Sequence, residues 1–245
     1  MDSLDKFLEF HIEKITADKT IPIDLTAVSV AIGAVIEERE MIPEAAMHAE
    51  GRGFCIYLQS NFVDMPGAAL RRRFSLAHEI GHTLFYEERD GELKPRKDAP
   101  RGDGLEVACH KAASMILVPG KALRVQLRQD APANSNAIVD LANQFEVSVE
   151  VMVRRLSELG AFENTWAPVL ARRSGGALTI EYAAYPPWLK SHLNAPSRGV
   201  SFNKWFRGSE QADGGFKKKI HEGVLEASPV KLTGSSVMFE LRMQP

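Results

Sequence analysis

Cysteine is scarce in this chain, with only Cys55 and Cys109 among 245 residues. A secreted domain held together by disulfides needs several cysteines, and a sulfur-rich zinc site needs pairs of them at C-x-x-C spacing. The sequence has neither arrangement. We therefore exclude a disulfide framework and expect both thiols to be inert apolar residues of the interior.

Long apolar runs and a strong charge of one sign are also missing. No stretch approaches the roughly 18 apolar residues of a membrane-spanning helix, and the first five residues lack the basic start of a secretory signal. The formal net charge is only -2, which does not by itself indicate a nucleic-acid or membrane partner. We expect a cytoplasmic protein that does not contact a membrane, with enough apolar residues, 44%, for one or two domains.

The most informative stretch is His78-Glu79-Ile80-Gly81-His82, an H-E-x-x-H pattern flanked by apolar residues at helical spacing. On a helix, residues four apart lie one above the other, roughly 6 Å apart, so both imidazoles can bind one Zn²⁺. Glu79 points about 100° away from His78 and can take a proton from a water molecule at the metal. The pattern predicts a zinc-dependent hydrolase with Glu79 as the general base.

A catalytic zinc needs a third protein ligand and one open position. We expect Glu106 to supply that ligand, because it lies in the first turn of the next helical segment, residues 104–119. The alternative to a metal site is a helix whose two histidines merely form hydrogen bonds at the edge of the core.

The two helical segments together resemble a known family. H-E-I-G-H followed by a helix reading E-x-x-A/C-x-x-x-A-[small]-x-[apolar]-L-x-P is similar to the ImmA/IrrE family of zinc metallopeptidases, over about residues 25–160. The resemblance implies that His78, His82 and Glu106 hold Zn²⁺ and that Glu79 is the general base. It also implies a bacterial peptidase of narrow specificity that cuts a helix-turn-helix transcriptional repressor and so relieves repression in stress responses or mobile-element control.

Two further side chains are candidates for support at this site. His110 stands where the family usually has Asn, one turn beyond Glu106, and could orient a ligand, stabilise an oxyanion or compete for the metal. Its alternative is a solvent-facing histidine without a role. Tyr86, one turn beyond His82, is a candidate for oxyanion support, with core packing as its alternative.

The predicted fold class is α+β. Residues 1–123 are expected to form a zincin-like metallopeptidase domain with a small antiparallel sheet and the H-E-x-x-H helix. Residues 3–16 predict an amphipathic helix, and Asp24 is expected to cap a second helix running through Val35 towards Glu38. Residues 41–49 and 54–59 predict a β-hairpin.

Three features of this domain suggest further roles. The strand at residues 53–59 is interpreted as an edge strand that pairs with an extended substrate, with an ordinary core strand as the alternative. The basic cluster Arg71-Arg72-Arg73 opposes the helix dipole and suggests acidic neighbours, substrate carboxylates or solvated ion pairs. Residues 87–105 predict a polar loop near the cleft, either disordered or gating the substrate.

Residues 124–162 predict a helix-turn-helix-like helical unit, and residues 163–245 a β-rich accessory domain for substrate or partner selection. The second helix of the unit begins with Val149-Glu150-Val151-Met152, whereas a helix that reads DNA needs polar side chains there. Glu150 would repel phosphate. We expect this unit to pack structurally rather than to contact DNA.

The main alternative function is a non-catalytic regulator that binds metal and acts on DNA or protein through the helix-turn-helix unit and the C-terminal domain. A structural zinc has four protein ligands, and His110 or Cys109 would be the fourth. An open position for water would instead favour catalysis.

Overall fold

The structure is a computed structural model that describes residues 3–17, 19–61, 67–129, 132, 134–162, 166–174, 177–190, 193–206, 210–212, 215–220, 223–232 and 235–244. The chain divides into two compact units, residues 1–128 with 142–148 (unit 1) and residues 129–141 with 149–245 (unit 2). The three predicted ranges, 1–123, 124–162 and 163–245, stay a prediction. Among the described residues, no helix has the length and apolar character needed to cross a membrane.

Unit 1 has the mixed α+β composition that the sequence predicts. Its elements, in chain order, are α1 (Ser3–Thr16), α2 (Leu25–Ala31), β1 (Ala34–Arg39), β2 (Ala45–Glu50), β3 (Gly53–Gln59), α3 (Ala68–Thr83), β4 (Tyr86–Arg89), β5 (Glu92–Pro95), α4 (Asp103–Leu117) and α5 (Gly120–Gln129).

The second helix is shorter than predicted. Asp24 caps it as expected, because its carboxylate accepts hydrogen bonds from the backbone N–H groups of Thr26 and Ala27, at 2.9 and 3.1 Å. The helix ends at Ala31, and Gly33, with φ of +73°, turns the chain out of it. The following residues, predicted to continue the helix through Val35, instead form strand β1.

The sheet of unit 1 has the strand order β1-β3-β2, with β1 parallel and β2 antiparallel to β3. The β2–β3 hairpin is confirmed. The sheet was predicted to be antiparallel, but it is mixed, because β1 pairs parallel to β3. This strand was missed because β1 was predicted as helix. The expectation that β3 is an edge strand is wrong, since β3 pairs on both sides. The outer strand on the hairpin side is β2.

The segment after α3 is more ordered than the polar loop predicted for residues 87–105. Strands β4 and β5 pair antiparallel, and Asp90 and Gly91 between them have φ of +58° and +79°. Positive φ at both central residues is what a type I′ hairpin turn requires, and Asp-Gly favours it. The N–H of Leu93 donates to the carbonyl of Gly51 at 3.2 Å, so the hairpin is tied to the β2–β3 turn.

Helices α3 and α4 pack closely at Gly81. A Cβ atom added there would lie 3.1 Å from Cβ of Ala112 and 3.2 Å from the carbonyl oxygen of Cys109. Ala77 and Ile80 on α3 are fully buried. Small side chains at this crossing let the two backbones approach, which sets the distance between residues on α3 and residues on α4.

Unit 2 is built on a six-stranded antiparallel sheet. Its elements are α6 (Ser135–Gln144, whose last residues belong to unit 1), α7 (Val149–Glu158), β6 (Trp166–Ser174), β7 (Ala177–Ala183), α8 (Pro187–Lys190), α9 (Phe202–Trp205), β8 (Glu210–Ala212), β9 (Gly215–Ile220), β10 (Gly223–Lys231) and β11 (Ser236–Gln244). The strand order in the sheet is β7-β6-β11-β10-β9-β8. The stacked rings of Phe202 and Phe239, with centroids 4.1 Å apart, lie in the core of this unit.

The packing at Gly81 makes a prediction about stability. We expect Gly81→Val to lower the free energy of unfolding by about 2 kcal/mol or more, because the added side chain meets the backbone of α4 and an overpacked core costs about 1–3 kcal/mol. Gly104→Val is the matched control on α4, since a Cβ there meets only Cβ of Pro100, at 3.7 Å. Urea denaturation of both variants is the measurement, and equal losses would contradict the role assigned to Gly81.

Candidate metal centre

Helix α3 carries three of the predicted site residues, and its basic first turn has an acidic partner for each arginine. These ion pairs join Arg71 to Glu44, Arg72 to Glu38 and Arg73 to Glu146. The pairs offset the unfavourable position of three positive charges at a helix N-terminus. Acidic neighbours therefore account for the cluster, as one of the three explanations predicted.

The structure brings together the side chains of His78, His82 and Glu106. Nε2 of His78 lies 3.1 Å from Nε2 of His82 and 3.2 Å from Oε2 of Glu106. Nε2 of His82 lies 3.6 Å from Oε1 of Glu106. Ligand atoms about 2.1 Å from a metal at tetrahedral angles stand roughly 3.4 Å apart, so this donor set fits a zinc ion.

Both imidazoles are held in the form that binds metals. Burial, with neighbouring His82 and His110, lowers the pKa of His78 to about 4, and burial also lowers the pKa of His82. Neutral rings offer a lone pair to a cation. The side chains of His78 and His82 are 12% and 17% exposed, whereas that of Glu106 is 54% exposed, so solvent reaches the cluster from the Glu106 side.

Glu79 is buried beside this cluster, at 9% exposure. Burial, with the negative charge of Glu106, raises its pKa to about 7, and a backbone hydrogen bond from Met47 on β2 acts in the opposite direction. A carboxyl group poised near neutral pH can both take and return a proton. Glu79 therefore has the properties that the predicted general base needs.

His110 lies on α4, exposed and one turn after Glu106. Its Nδ1 lies 2.9 Å from the carbonyl oxygen of Glu106. Its ring centroid lies 4.5 Å from that of His78 and 5.8 Å from that of Phe74. The ligand atoms of His78, Glu106 and His110 all lie within 4.8 Å of one another, so these residues form a second group able to hold a cation.

The remaining two candidates lie outside both groups. Tyr86 is on strand β4, because α3 ends at Thr83, and its ring packs edge-on against Phe54 with centroids 5.7 Å apart. Cys109 is fully buried, and burial raises the pKa of its thiol. Among the described residues, neither side chain belongs to a possible metal-binding group.

A cleft of about 460 Å³ opens beside the cluster. Besides His78, Glu79 and His110, its lining comprises Ile42, Pro43, Glu44, Ala45, Gln59, Phe74 and Ser75. Residues 42–45 and the Met47 backbone were not predicted to belong to the site. No motif marks them, because their place beside α3 follows from the strand pairing. Ile42 among them is an apolar side chain that is 95% exposed.

Residues 62–157 match the family model described as the IrrE N-terminal-like domain, peptidase M78. This match is to a metallopeptidase domain, and the family implies a divalent metal. The match over residues 62–157 confirms the resemblance to the ImmA/IrrE family that the two motif helices carry.

The chain is also similar to curated proteins titled radiation response metalloprotease IrrE. The identity is 36% over 92 residues with the protein from Deinococcus radiodurans, covering 36% of this chain and 27% of that protein. It is 30% over 137 residues with that from Deinococcus deserti, covering 51% of this chain and 48% of that protein. The chain thus spans less than half the length of either relative.

One solved structure resembles nearly the whole chain. A Mycobacterium tuberculosis transcriptional regulator matches with a TM-score of 0.50 and 14% identity, covering 99% of this chain and 77% of that one. At this identity the likeness concerns the fold alone.

The buried carboxyl group makes a prediction for the metal-free protein. The pKa of Glu79 rises from 4.5 to about 7 on folding, so the folded state keeps a proton that the unfolded chain releases, and stability falls between pH 4.5 and 7. Gln has no proton to release, so the Glu79→Gln variant does not lose stability in this way. We expect the free energy of unfolding of the metal-free variant to exceed that of metal-free wild type by about 3 kcal/mol at pH 8 and by little at pH 4. Denaturation in EDTA at both pH values is the measurement, and a difference that does not depend on pH would contradict the prediction.

Proposed function

We propose that this chain is a zinc-dependent endopeptidase of the H-E-x-x-H type, in which His78, His82 and Glu106 hold Zn²⁺. The observation that carries the proposal is the mutual distance of their donor atoms, 3.1 to 3.6 Å. Two neutral imidazoles and one carboxylate are a common catalytic zinc set, and such sites keep an open position.

Glu79 acts as the base in this proposal. Zinc, when bound, polarises a peptide carbonyl and makes water more acidic. Glu79 accepts the proton of the attacking water on its carboxylate and then passes it to the nitrogen of the leaving amine. Its burial and its hydrogen bond from Met47 hold the carboxylate in place between these two transfers.

The substrate lies along β2 in this proposal, instead of along β3. Strand β2 is an outer strand, Glu44 and Ala45 at its start line the cleft, and the backbone of Met47 contacts Glu79. An extended peptide can add to such an edge through main-chain hydrogen bonds, which places a peptide bond beside the metal cluster.

The substrate we propose is a separate helix-turn-helix transcriptional repressor, cut to relieve repression in a stress response or in mobile-element control. The match of residues 62–157 to the IrrE N-terminal-like domain supports this, as do the relatives titled radiation response metalloprotease. Cytoplasmic location follows from the same proposal, because the repressor acts there.

Unit 2 serves partner selection in this proposal, and α7 does not contact DNA. Arg154 pairs with Glu150 at 2.8 Å and lies over the ring of Tyr182, 4.4 Å from its centroid. Arg155 is 4% exposed and pairs with Glu158. Both arginines of α7 are engaged within the protein, so they are poorly placed to bind phosphate.

A second candidate function is a non-catalytic metal-binding regulator that acts by binding DNA or protein. The observation in its favour is the position of His110, one of whose ring nitrogens lies within 4.8 Å of a ligand atom of His78 and of one of Glu106. A permanent bond from His110 would give zinc four protein ligands, the number found in structural sites.

The two candidates differ in the expected effect of Glu79→Gln. Because Gln cannot accept the proton, we expect the variant to keep one zinc per chain and to lose cleavage of a helix-turn-helix repressor substrate by about 100-fold or more. Zinc analysis and electrophoresis after co-incubation are the measurements.

His78→Ala is the matched control, and it is expected to lose both zinc and cleavage, since it removes a ligand. Cleavage by Glu79→Gln at the wild-type rate would rule out the assigned base. Wild-type protein with a full zinc content and no cleavage of any helix-turn-helix repressor tested would favour the regulator.

A further inference from the structure

His110 is held in one tautomer by its own helix. Its Nδ1 lies 2.9 Å from the backbone carbonyl oxygen of Glu106, and a carbonyl can only accept a hydrogen bond, so Nδ1 carries the proton. The lone pair of the neutral ring is then on Nε2. Histidines that bind metals commonly donate their other ring N–H to such a carbonyl, which leaves the remaining nitrogen ready to coordinate.

His110 stands in relation to His78 much as His82 does. The His78 and His110 rings have centroids 4.5 Å apart and an interplanar angle of 76°. The corresponding values for His78 and His82 are 4.8 Å and 73°. One of its ring nitrogens also lies within 4.8 Å of the ligand atoms of His78 and Glu106, whereas two atoms bound to one zinc are at most about 4.2 Å apart. A small side-chain movement would therefore bring His110 to the metal.

Exposure separates His110 from the two histidines of α3. His78 and His82 are largely buried, but His110 is exposed and lines the cleft. An exposed side chain that packs on few neighbours can change rotamer at small cost, while a buried one is fixed by its packing. His110 is thus placed to leave the metal when another donor arrives.

We propose that His110, through Nε2, is an additional and exchangeable ligand of the metal held by His78, His82 and Glu106. It covers the open position at rest and gives way to an incoming oxygen donor such as a substrate carbonyl. This inference rests on the proposed function and adds regulation of the same site: His110 strengthens metal retention and weakens binding of any ligand that competes for the position.

The test compares full-length His110→Ala with Val107→Ala. Val107 lies on the same helix and is 69% exposed, so its variant controls for a substitution by Ala on α4. Zinc affinity is measured by competition with a chelator. The coordination of the metal is followed by the visible absorption of the Co²⁺-substituted protein. Access to the open position is measured by titrating the Co²⁺-substituted protein with acetohydroxamate.

We expect His110→Ala to bind zinc about 10-fold more weakly or worse, to change the Co²⁺ absorption, and to bind acetohydroxamate about 10-fold more tightly, since no internal donor competes. Val107→Ala should match wild type in all three. Identical behaviour of His110→Ala and wild type would overturn the proposal. So would weaker acetohydroxamate binding by His110→Ala, which would make His110 a positioning residue.

Wild type that excludes acetohydroxamate at every concentration, while His110→Ala binds it, would also overturn exchangeability, because His110 would then be a permanent ligand. Failure of the proposed function gives a separate result. In that case neither wild type nor Val107→Ala would bind one zinc or cobalt ion per chain, whatever residue stands at position 110.

Discussion

The close packing of α3 against α4 is the constraint on which the candidate site depends. Two of the proposed ligands come from one helix and the third from the other, so their donor atoms meet only if the helix backbones approach as they do at Gly81 and Ala112. This is a packing condition, set by two small uncharged residues. The glycine in H-E-I-G-H therefore has a structural purpose beside the three residues of this motif to which we assign the chemistry.

The same packing creates an electrostatic cost. Glu79 is buried within reach of the negative charge of Glu106, and its pKa rises to about 7 as a result. The two imidazoles beside them are kept neutral by burial, so they do not offset the carboxylates. A divalent cation relieves this arrangement, because it favours the ionised carboxylates and uses both neutral lone pairs. We therefore expect the site to be less stable without a metal ion than with one. Functional sites often hold buried ionisable groups whose pKa values are shifted in this way.

The sequence was informative where one short segment determines the outcome. The spacing of His78 and His82 predicted the helix, and the side chain of Asp24 predicted a cap that the structure confirms. Strand β1 was predicted as helix because its partner β3 is remote in sequence and parallel, which local periodicity does not encode. For the same reason the edge strand was assigned to β3 instead of β2. The hairpin at Asp90-Gly91 was not predicted, although Asp-Gly is a hairpin signal, because its strands are short and strongly charged.

The central claim is that one metal ion is held by two imidazole nitrogens of α3 and one carboxylate of α4. Zinc K-edge X-ray absorption of the purified protein tests it most directly, because this method reports the ligand atoms themselves. The account predicts one zinc per chain with nitrogen and oxygen ligands at about 2.0–2.1 Å and at least two imidazoles. A sulfur ligand at about 2.3 Å, or protein that binds no zinc, would contradict it.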